Sequence, residues 1–186
     1  MPAPGIVTAA EIRLPEWIAE MKLPPPAATD QACMALAVAL ARENVARRTG
    51  GPFGAVIRAE SSGKVVSLGV NIALATGNPA LHAELVAISL AGALSGGATL
   101  FTSCEPCIMC LGASHWAEVR RIVSAALRED AEAVGFSEGA GCGELKAEMA
   151  ARGVEFESGT MRVEAATVLR AYAASGAPIY GPKSGR

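Results

Sequence analysis

Two short stretches of this 186-residue chain hold most of the residues able to do chemistry. "SCEPCIMC", residues 103–110, sets Cys107 and Cys110 in C-x-x-C spacing directly after Pro106. "LHAEL", residues 81–85, sets His82 two positions ahead of Glu84. Two thiolates and one imidazole are three of the four ligands of a tetrahedral zinc ion, and a site with only three protein ligands keeps a position for solvent. A carboxylate beside that position can take a proton from water and return it to a leaving group. His82, Cys107 and Cys110 are therefore the expected metal ligands, and Glu84 the expected proton carrier.

The same residues admit two other readings. A C-x-x-C pair at the start of a helix after a strand is also the arrangement of a redox dithiol. A closed structural zinc site needs a fourth ligand, which Cys104 or Cys142 could supply. Taken singly, Cys33, Cys104 and Cys142 read as small buried or loop residues. His115 falls eight positions after Cys107, about 12 Å further along a helix axis, and reads as a packing residue.

For the two stretches to act together, the elements between them must return the chain to its starting point. An almost wholly apolar helix is expected from His82 to about Leu94, stopped by the glycine pair at 96–97, and "ATLFTS" reads as a buried strand. The helix advances roughly 20 Å and the strand returns roughly 20 Å. Cys107 then arrives near His82, with both motifs at helix N-termini on one edge of a sheet, where ligands of open α/β sheets bind. The partial positive charge of those termini favours thiolate over thiol.

Around this unit the pattern alternates. Thr29 or Asp30 caps a helix whose apolar positions Cys33, Leu36, Ala37, Leu40, Ala41 and Val45 recur at helical spacing. "FGAVIRA" and "KVVSLGVNIA" read as a hairpin about "ESSG". "RRIVSAA" and "VEFES" read as strands, and "GELKAEMAARG" and "MRVEAATVLRAYAAS" as helices. That order implies a layered α/β domain in which helices cover a mixed sheet. Residues 1–29, ending in "LPPPAATD", read as an N-terminal extension, and 30–186 as the domain.

Composition narrows the partners. Hydrophobic residues make up 51% and charged residues 18%, enough for a substantial core. The formal net charge is −2 and the pI is about 5.8, without the basic footprint of nucleic-acid binders, so a small-molecule substrate is expected. No apolar run has the length of a membrane span, and Glu11, Arg13 and Glu16 interrupt any signal-peptide core. An odd number of cysteines, three of them clustered, argues against a secreted disulfide framework, so the cytoplasm is the expected compartment.

H-x-E followed by P-C-x-x-C is the signature of zinc deaminases acting on nucleobases. With "GPFGAVI", "GVN", "LHAEL" and "SCEPCIMC" in this order, the chain resembles the nucleobase-deaminase branch of the cytidine deaminase-like superfamily. Through "EPCIMCLGASHWAEVRRIVSAALREDAEAVGFSEG" and "PIYGPKSGR" it is most similar to bacterial guanine deaminases, some of which also act on the triazine ammeline. The resemblance implies an α/β/α sandwich around a five-stranded mixed sheet, a homodimer, one zinc ion per subunit, and hydrolysis of guanine to xanthine and ammonia. A tRNA-specific adenosine deaminase shares the motifs and is the alternative. By the same resemblance Asn71 hydrogen-bonds the base and Phe53 and Phe136 line the pocket. Glu138 contacts the substrate or the departing amine, and Tyr180 closes the pocket from its own subunit or its partner's.

Overall fold

The described residues of the structure, a computed structural model, are 11–94 and 97–181. The first ten residues of the extension, Gly96 of the expected helix stop, and 182–186 of the C-terminal motif lie outside them. Thr29 opens the first helix with an extended backbone, its Oγ1 accepting the Ala32 N–H at 3.2 Å. That bond engages one of the donors a helix start leaves free. The helix, α1, runs Asp30–Ala46 and buries Cys33, Met34, Leu36, Ala37, Leu40 and Ala41. Strands β1 (Gly54–Ala59) and β2 (Val65–Val70) form the expected hairpin. Next come α2 (Ala73–Thr76), α3 (Ala83–Ala91), β3 (Ala98–Cys104) and α4 (Ile108–Trp116). The remainder is β4 (Arg121–Ala126), α5 (Arg128–Glu132), α6 (Cys142–Ala151), β5 (Glu155–Ser158) and α7 (Arg162–Ala174).

The sheet order is β2-β1-β3-β4-β5, with β1 antiparallel to β2 and β3, and β3, β4 and β5 parallel. Alternate side chains point to opposite faces. Val56, Phe101 and Val123 join the core under α1 and α7, whereas Ala55, Ile57, Leu100 and Ile122 join the core under α3, α4 and α6. The expected three-layer arrangement and mixed five-stranded sheet are both present. β3 is buried at every position, as a central strand covered on both faces must be.

Three features depart from the sequence reading. α3 stops at Gly92, whose φ of 69° suits glycine and ends the helix before Leu94. The strand expected through Ala73 ends at Val70, because Asn71 and Ile72 leave the sheet to start α2. α5 was not expected, since five residues hold too little periodicity to register. Within the extension, Trp17 and Ile18 on a 3-10 turn (Glu16–Glu20) pack into the core that α1 covers.

Candidate active site

His82 and Cys107 are the residues that cap α3 and α4. Their carbonyls accept the N–H groups of Val86 and Leu111, and neither side chain makes a capping bond, so imidazole and thiol are free to face the sheet edge. Cys110 lies one turn after Cys107 and is fully buried. The His82 Nδ1 atom lies 3.5 Å from Cys107 Sγ and 3.7 Å from Cys110 Sγ, and the two sulfurs are 3.5 Å apart. Tetrahedral zinc with ordinary Zn–S and Zn–N bonds requires donor separations of about 3.5–3.8 Å. The three donors fit the ion.

The thiols are polarised for that role. The Cys107 thiol is pulled down to about 4 by its contact with Cys110 and by His82, against burial. The same contact, with burial, pushes Cys110 up, so the metal-free pair holds one thiolate. Burial pulls His82 down, but Cys107 and Glu84 outweigh it and raise its pKa. Cys104 and Cys142 do not join the triad: their sulfurs face the carbonyls of Leu127 at 3.7 Å and Glu138 at 3.5 Å. The three-residue cluster has no fourth cysteine among the described residues, which removes the closed structural site. The redox reading leaves His82 between the two sulfurs unexplained. His115 packs edge-on to Trp116 and is not one of the three clustered donors.

Glu84 sits in the first turn of α3, 5% exposed. Its Oε1 accepts from Thr102 Oγ1 of β3 at 3.0 Å, and its Oε2 faces Cys110 Sγ at 3.4 Å. Burial and the Cys107 thiolate raise its pKa, a shift that favours a carboxyl able to take up and hold a proton. A cleft of about 570 Å³ opens over these groups, lined by Phe53, Leu74, Pro79, Ile108, Met109, Phe136, Glu138 and Tyr180. Phe53 and Phe136 meet edge-on at 5.0 Å, and Tyr180 stands edge-on to Phe136 at 5.4 Å and to His82 at 6.3 Å. Each of these aromatics also packs on the core, so lining and packing are joint roles.

The polar groups of the cleft are incompletely partnered. Asn71 is fully buried behind the cleft lining; its Oδ1 accepts the Ala73 N–H at 3.2 Å, and its amide faces the Tyr180 hydroxyl, with no well-formed hydrogen bond from Nδ2 among the described residues. The Tyr180 hydroxyl is likewise buried and makes no well-formed hydrogen bond among the described residues. It fits because residue 51 is glycine: a Cβ there would stand 2.1 Å from the phenol oxygen. Glu138 makes no side-chain hydrogen bond among the described residues, and burial, then Cys107 and Glu84, push its carboxyl up to about 8. Its loop is tied down on both sides. The Glu138 carbonyl accepts the Ile108 N–H at the start of α4, and Arg128 Nη2 donates to the Gly139 carbonyl at 2.6 Å. Buried polar atoms without partners are rare in folded proteins and mark where a ligand's groups belong.

A cysteine–histidine triad of zinc spacing under such a cleft has a counterpart in known families. Residues 27–126 match the family described as the cytidine and deoxycytidylate deaminase zinc-binding region. The chain belongs to this deaminase family. The deaminase is 42% identical to the guanine deaminase of Bacillus subtilis over 107 residues, 55% of this chain and 67% of that one. It superposes on the solved guanine deaminase from Nitrosomonas europaea with a TM-score of 0.81 and 34% identity, covering 92% of this chain and 100% of that one. It is also 34% identical over 173 residues to a tRNA(Ile)-lysidine synthase of Deinococcus radiodurans, of whose length the match spans only 28%. Membership makes this deaminase a zinc-dependent hydrolase, and His82, Cys107 and Cys110 are the residues among those described whose spacing could hold the zinc. No helix among the described residues is long and apolar enough to cross a membrane.

Several supporting residues escaped sequence reasoning. Thr102 holds Glu84, and Arg128 holds the loop of Glu138. Glu105 accepts from Lys146 at 2.8 Å, from Ser158 at 2.9 Å and from the Arg128 N–H at 3.0 Å, tying α6, β5 and α5 to the metal-binding turn. Thr102 is one of three polar residues of its strand, with Thr99 and Ser103, and nothing in the sequence singled it out.

Proposed function

We propose that the enzyme hydrolyses guanine to xanthine and ammonia, with triazines such as ammeline as further substrates. The observation that carries this reading is the unbonded buried carboxyl of Glu138 in an aromatic slot over the triad, with the Asn71 amide buried beside the Tyr180 that lines it. Guanine is flat and presents ring acceptors together with a ring N–H and an exocyclic amine as donors, so it complements both groups. The likeness to guanine deaminases over nearly the whole chain supports the same choice.

Zinc, when bound, supplies the Lewis acidity that lowers the pKa of water from about 15.7 towards 7. The rest of the work falls to side chains. Phe53 and Phe136 hold the ring plane, and Asn71 fixes its rotation. Glu84, oriented by Thr102, takes a proton from the attacking water and delivers it to the ring nitrogen and the departing amine. Glu138 accepts from the amine and ring N–H and guides ammonia out. Tyr180 shields the slot from bulk water. The balance is one water consumed and one ammonia released per guanine.

The same proposal assigns catalysis to residues 30–186, with 1–29 as an added arm, in a cytoplasmic homodimer of purine catabolism. All five cysteines are free thiols, which supports a reducing compartment. Trp116, 86% exposed on α4, is an apolar surface for a second subunit to cover; a monomer mass in sedimentation would remove the dimer. The test of function is ammonia release from guanine, ammeline, adenine and cytosine, with inosine formation in tRNA measured alongside. Guanine is expected to give the highest kcat/KM. Product from tRNA with none from free guanine would overturn the reading.

A further inference from the structure

The route that places Asn71 begins outside the slot. Asn44, in the last turn of α1, is fully buried and has every polar side-chain atom engaged. Its Nδ2 donates to the Gly51 carbonyl at 2.8 Å and to the Asn71 carbonyl at 2.9 Å. Its Oδ1 accepts from Thr49 Oγ1 at 2.7 Å, and Thr49 Oγ1 in turn accepts from Trp17 Nε1 at 3.1 Å. Thr49 also donates its backbone N–H to the Asn44 carbonyl at 3.0 Å, across a reversal in which Arg48 adopts a φ of 56°. Gly50 makes the close approach feasible, since a Cβ there would lie 1.9 Å from the Asn71 carbonyl oxygen.

At the other end, the Asn71 frame is closed. The Asn71 carbonyl takes the Gly51 N–H as well as Asn44, the Asn71 N–H goes to the Phe53 carbonyl, and Oδ1 holds the Ala73 N–H. Only Nδ2 makes no well-formed hydrogen bond among the described residues, with the Tyr180 hydroxyl beside it, so the frame aims it. Recognition groups act at full strength only when held within about 0.5 Å of the required place.

We propose that Asn44 is a positioning residue for Asn71, kept in register by Trp17 through Thr49, so that the arm ahead of α1 tunes affinity for the base. This rests on the reading of Asn71 as a base-binding residue. Nothing in the chain of bonds touches the triad or Glu84, so the effect falls on binding rather than on turnover.

The test uses Thr49→Val, which keeps shape and removes both bonds of the hydroxyl, and Trp17→Phe, which removes the indole N–H link and part of the ring, with Thr49→Ser as the variant that restores the hydroxyl. KM and kcat for guanine are measured with the thermal midpoint, in the wild-type and Asn71→Ala backgrounds. Thr49→Val and Trp17→Phe should raise KM about 3- to 10-fold, the size of one hydrogen bond, with kcat unchanged. Thr49→Ser should restore KM. On the Asn71→Ala background, Thr49→Val should leave KM where Asn71→Ala already put it, while still lowering the thermal midpoint. An unchanged KM for Thr49→Val in the wild-type background, or an equal rise on both backgrounds, overturns the positioning role. If Asn71→Ala by itself leaves KM unaltered, the base-binding reading of Asn71 fails at that step, and the proposal with it.

Discussion

At one edge of the sheet a chain of charges is mutually paired; at the other several polar groups are not. Where β1 ends and β4 begins, Asp30 accepts from both Arg58 and Arg121, and Arg121 continues to Glu157. The Arg58 guanidinium also lies over the Phe101 ring at 5.0 Å. Those hydrogen bonds outweigh burial and hold the Asp30 carboxyl below its usual range. At the opposite edge, beyond the ends of β2 and β3, Asn71 Nδ2 and the Tyr180 hydroxyl make no well-formed hydrogen bond among the described residues, and Glu138 is pushed up to about 8 by burial. The first edge stabilises the fold. The second holds groups at a cost to the fold, for a molecule that arrives later.

The contrast can be broken most sharply at the triad. Exchanging Cys107 for Ser, or dialysing against a chelator, should abolish ammonia release and bring metal content to zero, with zinc restoring only the chelated wild type. Zinc-free protein with full turnover would end the metal assignment. Next in size is Glu84→Gln, expected to lower kcat by about 10²–10⁴-fold while elemental analysis still finds one zinc per chain. Undiminished turnover in that variant excludes Glu84 as the proton carrier.

Glu138→Gln should separate function from stability. A charge-assisted contact to the substrate is worth about 10- to 100-fold in kcat/KM. In metal-free protein the same substitution should raise the thermal midpoint, with a margin that grows from pH 5 to pH 8. The sign follows from the raised pKa: the stability contributed by the protonated carboxyl is complete below the unfolded value of 4.5 and is lost as pH rises through about 8. A flat difference between the two proteins across that range would show that Glu138 is not held at a cost.

The smallest effect belongs to the paired edge. Asp30→Asn should lower stability by about 1 kcal/mol, a figure kept small because Asp30 is partly exposed and its ion pairs are screened. Ammonia release should not change. Because the Asp30 pKa is depressed, its contribution is present above the unfolded value of 3.8 and is lost as pH falls through the lower folded value. The gap between wild type and variant should therefore close in acid; a drop in kcat/KM instead would join the two edges functionally.

How much of this was legible in the chain depends on how far apart the partners lie. His82, Glu84, Cys107 and Cys110 could be read directly, because each pair is placed by one turn of a helix, and the two pairs by one helix and one returning strand. The strands and long helices followed from periodicity. α2 and α5 did not, and the end of α3 depended on the single backbone angle of Gly92. Asn71, Glu138 and Tyr180 entered only through resemblance, because they lie on irregular segments that carry no period of their own.

What the amino-acid order determined is therefore the ligand set, the carboxylate beside it, and the alternation of helices and strands that folds one onto the other. Tertiary structure alone decided which polar groups stay unpartnered, and that Trp17, Thr49 and Asn44 line up behind Asn71 across 32, 5 and 27 positions of sequence. The physical reason is that a local spacing places side chains through bonds the backbone already makes. A hydrogen bond between distant residues exists only after packing has brought both ends out of water.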